Sequence, residues 1–173
     1  MKKTAELLTT LFETPAKEQQ LVSALRALDH RLKRVFLGYR RNNPIILIDL
    51  GAERALPMNV LGDGFCRLLL MLVGALEPDP KILIVDEIDL GLHVSAMRDV
   101  WKGLHRFLID DDKQLFCATH NEDMLTSLLD AFQEEPDSIR LFRLSRDQHS
   151  NIIAQKYDYE LLQDSISAGF EVR

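Results

Sequence analysis

Along the first part of the chain, apolar residues recur at three- and four-residue steps. Residues 5–13 and 17–37 read as two helices separated by Pro15, the second carrying a stripe of Leu21, Leu25, Leu28, Leu32 and Val35/Phe36. Gly38 is expected to stop that helix, and Asn42-Asn43-Pro44 to turn the chain. The pattern then changes. IILIDL (45–50) is a short, Ile-rich run of the kind that forms a buried strand, Gly51 turns the chain, and a short strand is expected from Ala55 to Met58. FCRLLLMLVGAL, from Gly64 onward, is apolar almost all round and predicts a helix buried on several sides, closed by EPDP.

KILIVDE and QLFCATH predict buried strands, with an amphipathic helix from Val94 to Ile109 between them. NEDMLTSLLDAF follows as a helix with Asn121 as its N-cap. IRLFRLSRD and NIIAQKYDY alternate as an antiparallel hairpin, and YELLQDSISAG closes with a short helix. Strands alternating with helices imply an α/β fold with a mainly parallel sheet flanked by helices. The expected organisation is one domain over 1–173, with a helical lead-in (1–43) and an α/β lobe (44–173).

In such sheets ligands bind at the carboxyl ends of the strands. Asp86, Glu87, Thr119 and His120 all fall there. A carboxylate at the end of a rigid strand is fixed without help from a loop. Asp86 is therefore suited to hold Mg²⁺, directly or through water. Glu87, pointing the other way by strand alternation, is suited to orient or deprotonate an attacking water. The plainer reading of the pair is that charged residues mark the chain's return to solvent. LGDGFCRLL (61–69) adds a glycine-bracketed turn opening a helix, whose free N–H groups and positive dipole end suit an anion, with Asp63 as a candidate cap; by itself the motif reads more plainly as an ordinary glycine-containing turn. His93 and Trp101 read as a helix-start residue and a packing aromatic, and the Asp110–Asp112 run as a solvated helix end.

In their order and spacing, LGDGF, ILIVDE, IDLGLH and CATH resemble the C-terminal half of an ABC-type ATPase head. The likeness is to AAA-family ATPases of the OLD and RecF-like kind and runs from about Ile45 to the C-terminus. The resemblance implies a P-loop NTPase-like fold in which Leu61, Gly62, Asp63 and Gly64 form the signature. It also implies Asp86 as the Walker B carboxylate on Mg²⁺, Glu87 as the catalytic base, Asp89 as the D-loop acid and His120 as the switch histidine sensing the γ-phosphate of ATP. Two positions depart from the pattern: Gly62 stands where the signature usually has serine, and Phe65 where it has a polar residue.

A phosphate-cradling loop needs G-x-x-x-x-G-K-[ST]. None of the eight glycines is followed by lysine, so these residues contain no such loop. The resemblance places it in a preceding lobe, and puts the complete site between two heads, the signature of one facing the nucleotide of the other. The chain is then expected to be a fragment, a split-gene product or a degenerate relative, inactive in hydrolysis without a Walker A-bearing lobe and joined head to tail in the assembly. The competing expectation is a non-enzymatic docking or dimerisation module. A metal-dependent hydrolase without ATP is disfavoured, because no further His/Asp cluster has ligand spacing.

Composition narrows the setting. With 46% hydrophobic and 28% charged residues the chain has the balance of a globular domain, and a net charge of −6 argues against general nucleic-acid coating. Arg31, Lys33, Arg34, Arg40 and Arg41 form a local basic cluster, read first as a solvated helix end and second as a DNA-facing patch. Two unpaired cysteines and no signal or membrane-spanning segment suggest a cytoplasmic protein.

Overall fold

The computed structural model describes residues 8–9, 11–77, 79 and 81–169. Of the first expected helix, Leu8, Thr9, Leu11 and Phe12 are helical, and residues 5–7 and 10 lie outside the described residues. Helix α1 (Pro15–Leu25) starts with proline in its first turn, where the missing N–H would have no helical partner.

The helix expected over 17–37 ends at Leu25. Arg26 Nε turns back onto the Leu32 carbonyl (2.9 Å), and Lys33 N meets the Asp49 carbonyl (2.8 Å), which opens a β-ladder. Strand β1 (Arg34–Arg40) pairs antiparallel with β2 (Asn43–Asp49), Val35 opposite Ile48, and β2 pairs antiparallel with the two-residue β3 (Leu56–Pro57). The Val35/Phe36 pair that completed a helical stripe serves equally as one inward and one outward strand position, and β-branched neighbours favour the ladder. The lead-in is therefore helical only in part.

Gly38 sits inside β1, where a Cβ would lie 2.5 Å from Leu47 Cδ1. The turn is made by Arg41 and Asn42, both left-handed (φ 50° and 63°), as a two-residue hairpin turn requires. Asn43 and Pro44 already belong to β2. With the helix goes the dipole explanation of the basic cluster: Arg31 pairs with Asp29 (2.8 Å) and Arg34 reaches Glu18 (3.8 Å), while Arg40 and Arg41 stand exposed beside Tyr39 at the hairpin tip.

From α2 (Asp63–Gly74) onward the expected order holds: β4 (Ile82–Val85), α3 (Val94–Ile109), β5 (Gln114–Cys117), α4 (Glu122–Ala131), β6 (Leu141–Arg146), β7 (Ile152–Tyr157) and α5 (Tyr159–Ser167). Leu21 and Leu25 of α1, Leu68 and Leu72 of α2, Val100 and Leu104 of α3 and Met124 of α4 share one buried cluster. Trp101 fills the α3–α4 contact and donates from Nε1 to the Met124 carbonyl (3.1 Å). The Asp run lies at the helix end with Asp110 and Asp112 exposed, as expected, and it also ties α3 to α1. Asp111 accepts from Lys17 Nζ (2.8 Å), and Asp110 from Gln20.

Parallel pairing among the described residues is confined to β4 and β5, with Val85 opposite Cys117; β6 and β7 form a separate antiparallel hairpin. The β4–β5 strands are buried on one face only. Leu83 and Leu115 pack toward the core and Val85 is buried within it, whereas Ile82, Ile84 and Phe116 are 47%, 80% and 49% exposed. Parallel strands are ordinarily covered on both faces, and isoleucines on the open one are the composition of a covered strand.

Candidate functional site

The parallel register brings the carboxyl ends of β4 and β5 side by side. Ala118 N bonds the Val85 carbonyl (2.9 Å), and Ile88 N reaches back to the Ala118 carbonyl (3.1 Å). Asp86, Glu87 and Asp89 thus leave β4 beside Thr119, His120 and Asn121 leaving β5. Both carboxylates of the Asp86–Glu87 pair are exposed. Their relative aim is not set by strand alternation as expected, because the strand stops at Val85 and Glu87 adopts a left-handed backbone (φ 48°). Asp86 Oδ1 accepts from Glu87 N (3.1 Å), and Arg67 Nη2 donates to the carbonyls of both residues (3.1 Å each).

Asp89 is the most tightly held acid here. It accepts from Thr119 Oγ1 (2.5 Å) and Asn121 Nδ2 (3.4 Å). Burial works to raise its pKa, but the Thr119 and Asn121 hydrogen bonds, a backbone bond and nearby His120 outweigh it and leave the carboxyl below the usual aspartate range. Thr119 also accepts from Asn121 N (3.1 Å), and Asn121 caps α4 through Oδ1 to Asp123 N (2.9 Å) and Met124 N (3.4 Å). Asp89, His120, Asn121, Glu122 and Asp123 line an open pocket of about 370 Å³. Thr119 and Asn121 as partners of Asp89 were hidden in the sequence, where the residues lie about 30 positions apart.

Leu61, Gly62, Asp63 and Gly64 form the turn into α2. The N-cap is Gly62, not Asp63, which occupies the first helical position; no side chain caps this end. Gly62 lies at φ 91°, ψ 164°, a conformation essentially reserved for glycine, although nothing stands within 4 Å of where its Cβ would be. Conformation therefore accounts for glycine where a serine was expected. Gly62→Ser is expected to destabilise the chain by about 1–3 kcal/mol in chemical denaturation; an unchanged midpoint would mean that the turn relaxes freely. Gly64 is pressed against Gly91: a Cβ on Gly64 would stand 2.1 Å from the Gly91 carbonyl oxygen. The turn and the loop after Asp89 thus meet backbone to backbone. His93 caps α3, Nδ1 accepting from Ser95 N (3.3 Å).

Among the described residues, no three His, Cys, Asp or Glu side chains assemble a metal site of their own. Asp86 presents an exposed carboxylate at the end of β4, and Mg²⁺ at phosphates takes one or two carboxylates, with its remaining positions left to phosphate oxygens and water.

These elements form a P-loop NTPase-like α/β fold, similar to that of solved ATPase heads. A chain from SMC ATPases studied for ATP-driven dimerisation and DNA-stimulated activation is similar at TM-score 0.62 and 10% identity, covering 94% of this chain and 96% of that one. An Smc head bound to the C-terminal winged-helix domain of ScpA matches at 0.58 and 12%, covering 85% and 44%. An Smc head with an extended coiled coil, bound to the C-terminal domain of ScpA from Pyrococcus furiosus, matches at 0.57 and 11%, covering 87% and 37%. In sequence, residues 5–125 match the model of the family described as AAA domain, putative AbiEii toxin, type IV toxin–antitoxin system, and the chain belongs to that family. An ATP/GTP phosphatase of Helicobacter pylori is 27% identical over 152 residues. The match takes in 84% of this chain but 40% of that relative's length. No described helix is long and apolar enough to cross a membrane.

Proposed function

We propose that this chain is the C-terminal lobe of an ABC-type ATPase head that hydrolyses ATP only together with a lobe carrying the Walker A loop. The observation that carries the reading is the shared edge of β4 and β5, where Asp86 and Glu87 emerge beside Asp89, Thr119 and His120. The open face of Ile82, Ile84 and Phe116 supports it, because such a face calls for a covering partner. So does the short span of the Helicobacter relative that the chain matches.

In this reading Asp86 supplies a carboxylate to Mg²⁺, and Glu87 takes the proton from the attacking water. His120 meets the terminal phosphate. Gly62 to Gly64 offer the backbone amides of a helix start to the nucleotide of a second head, so that two copies work head to tail. Bound Mg²⁺ with ATP supplies the charge neutralisation that phosphoryl transfer requires. The work served is DNA-associated or defensive in cytoplasm, and the Tyr39–Arg41 hairpin tip is where a nucleic-acid backbone would meet this lobe.

Purified chain mixed with the Walker A-bearing lobe should turn over ATP, and neither component alone should exceed background. Turnover by this chain alone would overturn the two-lobe reading. A stable, nucleotide-independent complex without turnover would make it a docking module.

A further inference from the structure

We propose that Arg67 is a positioning residue that sets the backbone of Glu87 from the signature helix. This inference rests on Glu87 being the base.

Glu87 is a non-glycine residue in the left-handed region (φ 48°), immediately after a rigid strand. Such a conformation is sparsely populated and persists only where its surroundings over-determine it. Three ties lie at the β4–β5 edge itself: Asp86 Oδ1 accepts from Glu87 N, Leu90 N donates to the Glu87 carbonyl (3.1 Å), and Ile88 N donates to the Ala118 carbonyl. The fourth comes from a helix. One guanidinium nitrogen of Arg67, on the second turn of α2, donates to the Asp86 and Glu87 carbonyls at 3.1 Å each.

A guanidinium is always charged, and its bonds to carbonyls are charge-assisted. Two consecutive carbonyls can converge on one donor only when the chain between them bends, which is what the left-handed Glu87 provides. Arg67 thus selects the conformation from which the Glu87 side chain departs. The residue also belongs to the helix that Gly62 caps, three to five positions after the turn that faces the second head's nucleotide. Displacement of that turn along the α2 axis moves the guanidinium, and with it the two carbonyls. Engagement of nucleotide by the signature and placement of the base are therefore mechanically joined through one side chain.

The test uses the complete head with its Walker A lobe. Arg67→Met should lower kcat for ATP about 10²-fold, the order expected of a misplaced catalytic group, with KM for ATP within about twofold. Arg67→Lys, keeping the charge on a side chain of shorter reach, should recover only part of the loss. A double-mutant cycle distinguishes positioning from general damage: in a Glu87→Gln background, Arg67→Met should cause no further loss of turnover. Full additivity in that cycle would overturn the proposal, as would unchanged kcat in Arg67→Met while Glu87→Gln is inactive. If Glu87→Gln itself keeps full turnover, the assignment of the base fails instead. Circular dichroism of each variant of this chain should show native helix content; a Met variant that unfolds leaves the Lys variant and its own cycle to decide.

Discussion

Glu87→Gln in the assembled head is expected to lower ATP turnover by about 10²–10⁴-fold, the usual worth of a positioned general base. Glutamine keeps the size and hydrogen-bonding reach of the side chain but cannot take up the water's proton. The left-handed backbone at position 87, fixed by Asp86, Leu90 and Arg67, depends on main-chain atoms and survives the change. Nucleotide binding does not need the proton acceptor, so ATP-dependent dimers should accumulate rather than disappear. Single-turnover hydrolysis measured beside sedimentation with and without ATP separates the two effects. Undiminished hydrolysis would remove Glu87 from the role of base, and loss of dimers would assign it to binding.

The placement of the candidate residues at strand and helix ends was more legible in the sequence than the sheet around them. An apolar run that stops abruptly at two acids marks a strand end in one dimension, and β4 does end at Val85. Asn121 announced its cap because the capping side chain sits beside the helix that it serves. LGDGF, ILIVDE and CATH each lie at the end of an element, and the fold brings Gly64 against Gly91 and Asp89 onto Thr119.

What escaped was non-local or ambiguous in period. Leu28, Leu32, Val35 and Phe36 fit a 3.6-residue stripe, yet the pairing of Val35 with Ile48 across the hairpin decided for strand. Tertiary pairing outranked propensity there. The ties of Asp89 to Thr119 and Asn121, and of Arg67 to residues 86 and 87, join segments 19 to 32 positions apart, so no local pattern displays them. Double-sided burial of β4 was inferred from its run of Ile, Leu, Ile and Val, but the described residues cover one face. On the proposed reading, a preceding lobe covers the other face.

Gly64→Ala should be the most damaging small substitution in the molecule, through packing rather than chemistry. The new Cβ would stand 2.1 Å from the Gly91 carbonyl oxygen, 2.8 Å from its carbon and 3.3 Å from Leu92 Cδ2. Two of these atoms are backbone, so no rotamer change relieves the overlap, and the helix start and the Asp89 loop must separate by roughly 1 Å. Shifts of that size at a reacting site cost about 10²-fold in rate, and overpacking costs about 1–3 kcal/mol in stability. Gly91 itself cannot easily yield: it lies at φ 80°, and Asp89, two residues earlier, is anchored to Thr119 and Asn121. In the proposed head-to-tail assembly the displaced helix start is the part that meets the second head's nucleotide, so on that reading the substitution should also stop ATP-dependent dimers from forming in a Glu87→Gln background. Gly74→Ala is the matched control, because nothing lies within 4 Å of a Cβ there; at the end of α2 it should leave stability unchanged or raise it by up to about 1 kcal/mol. Dimers that persist in Gly64→Ala would mean that the glycine contact shapes this lobe alone. Loss of dimers in Gly64→Ala but not Gly74→Ala would tie that contact to assembly of the two heads.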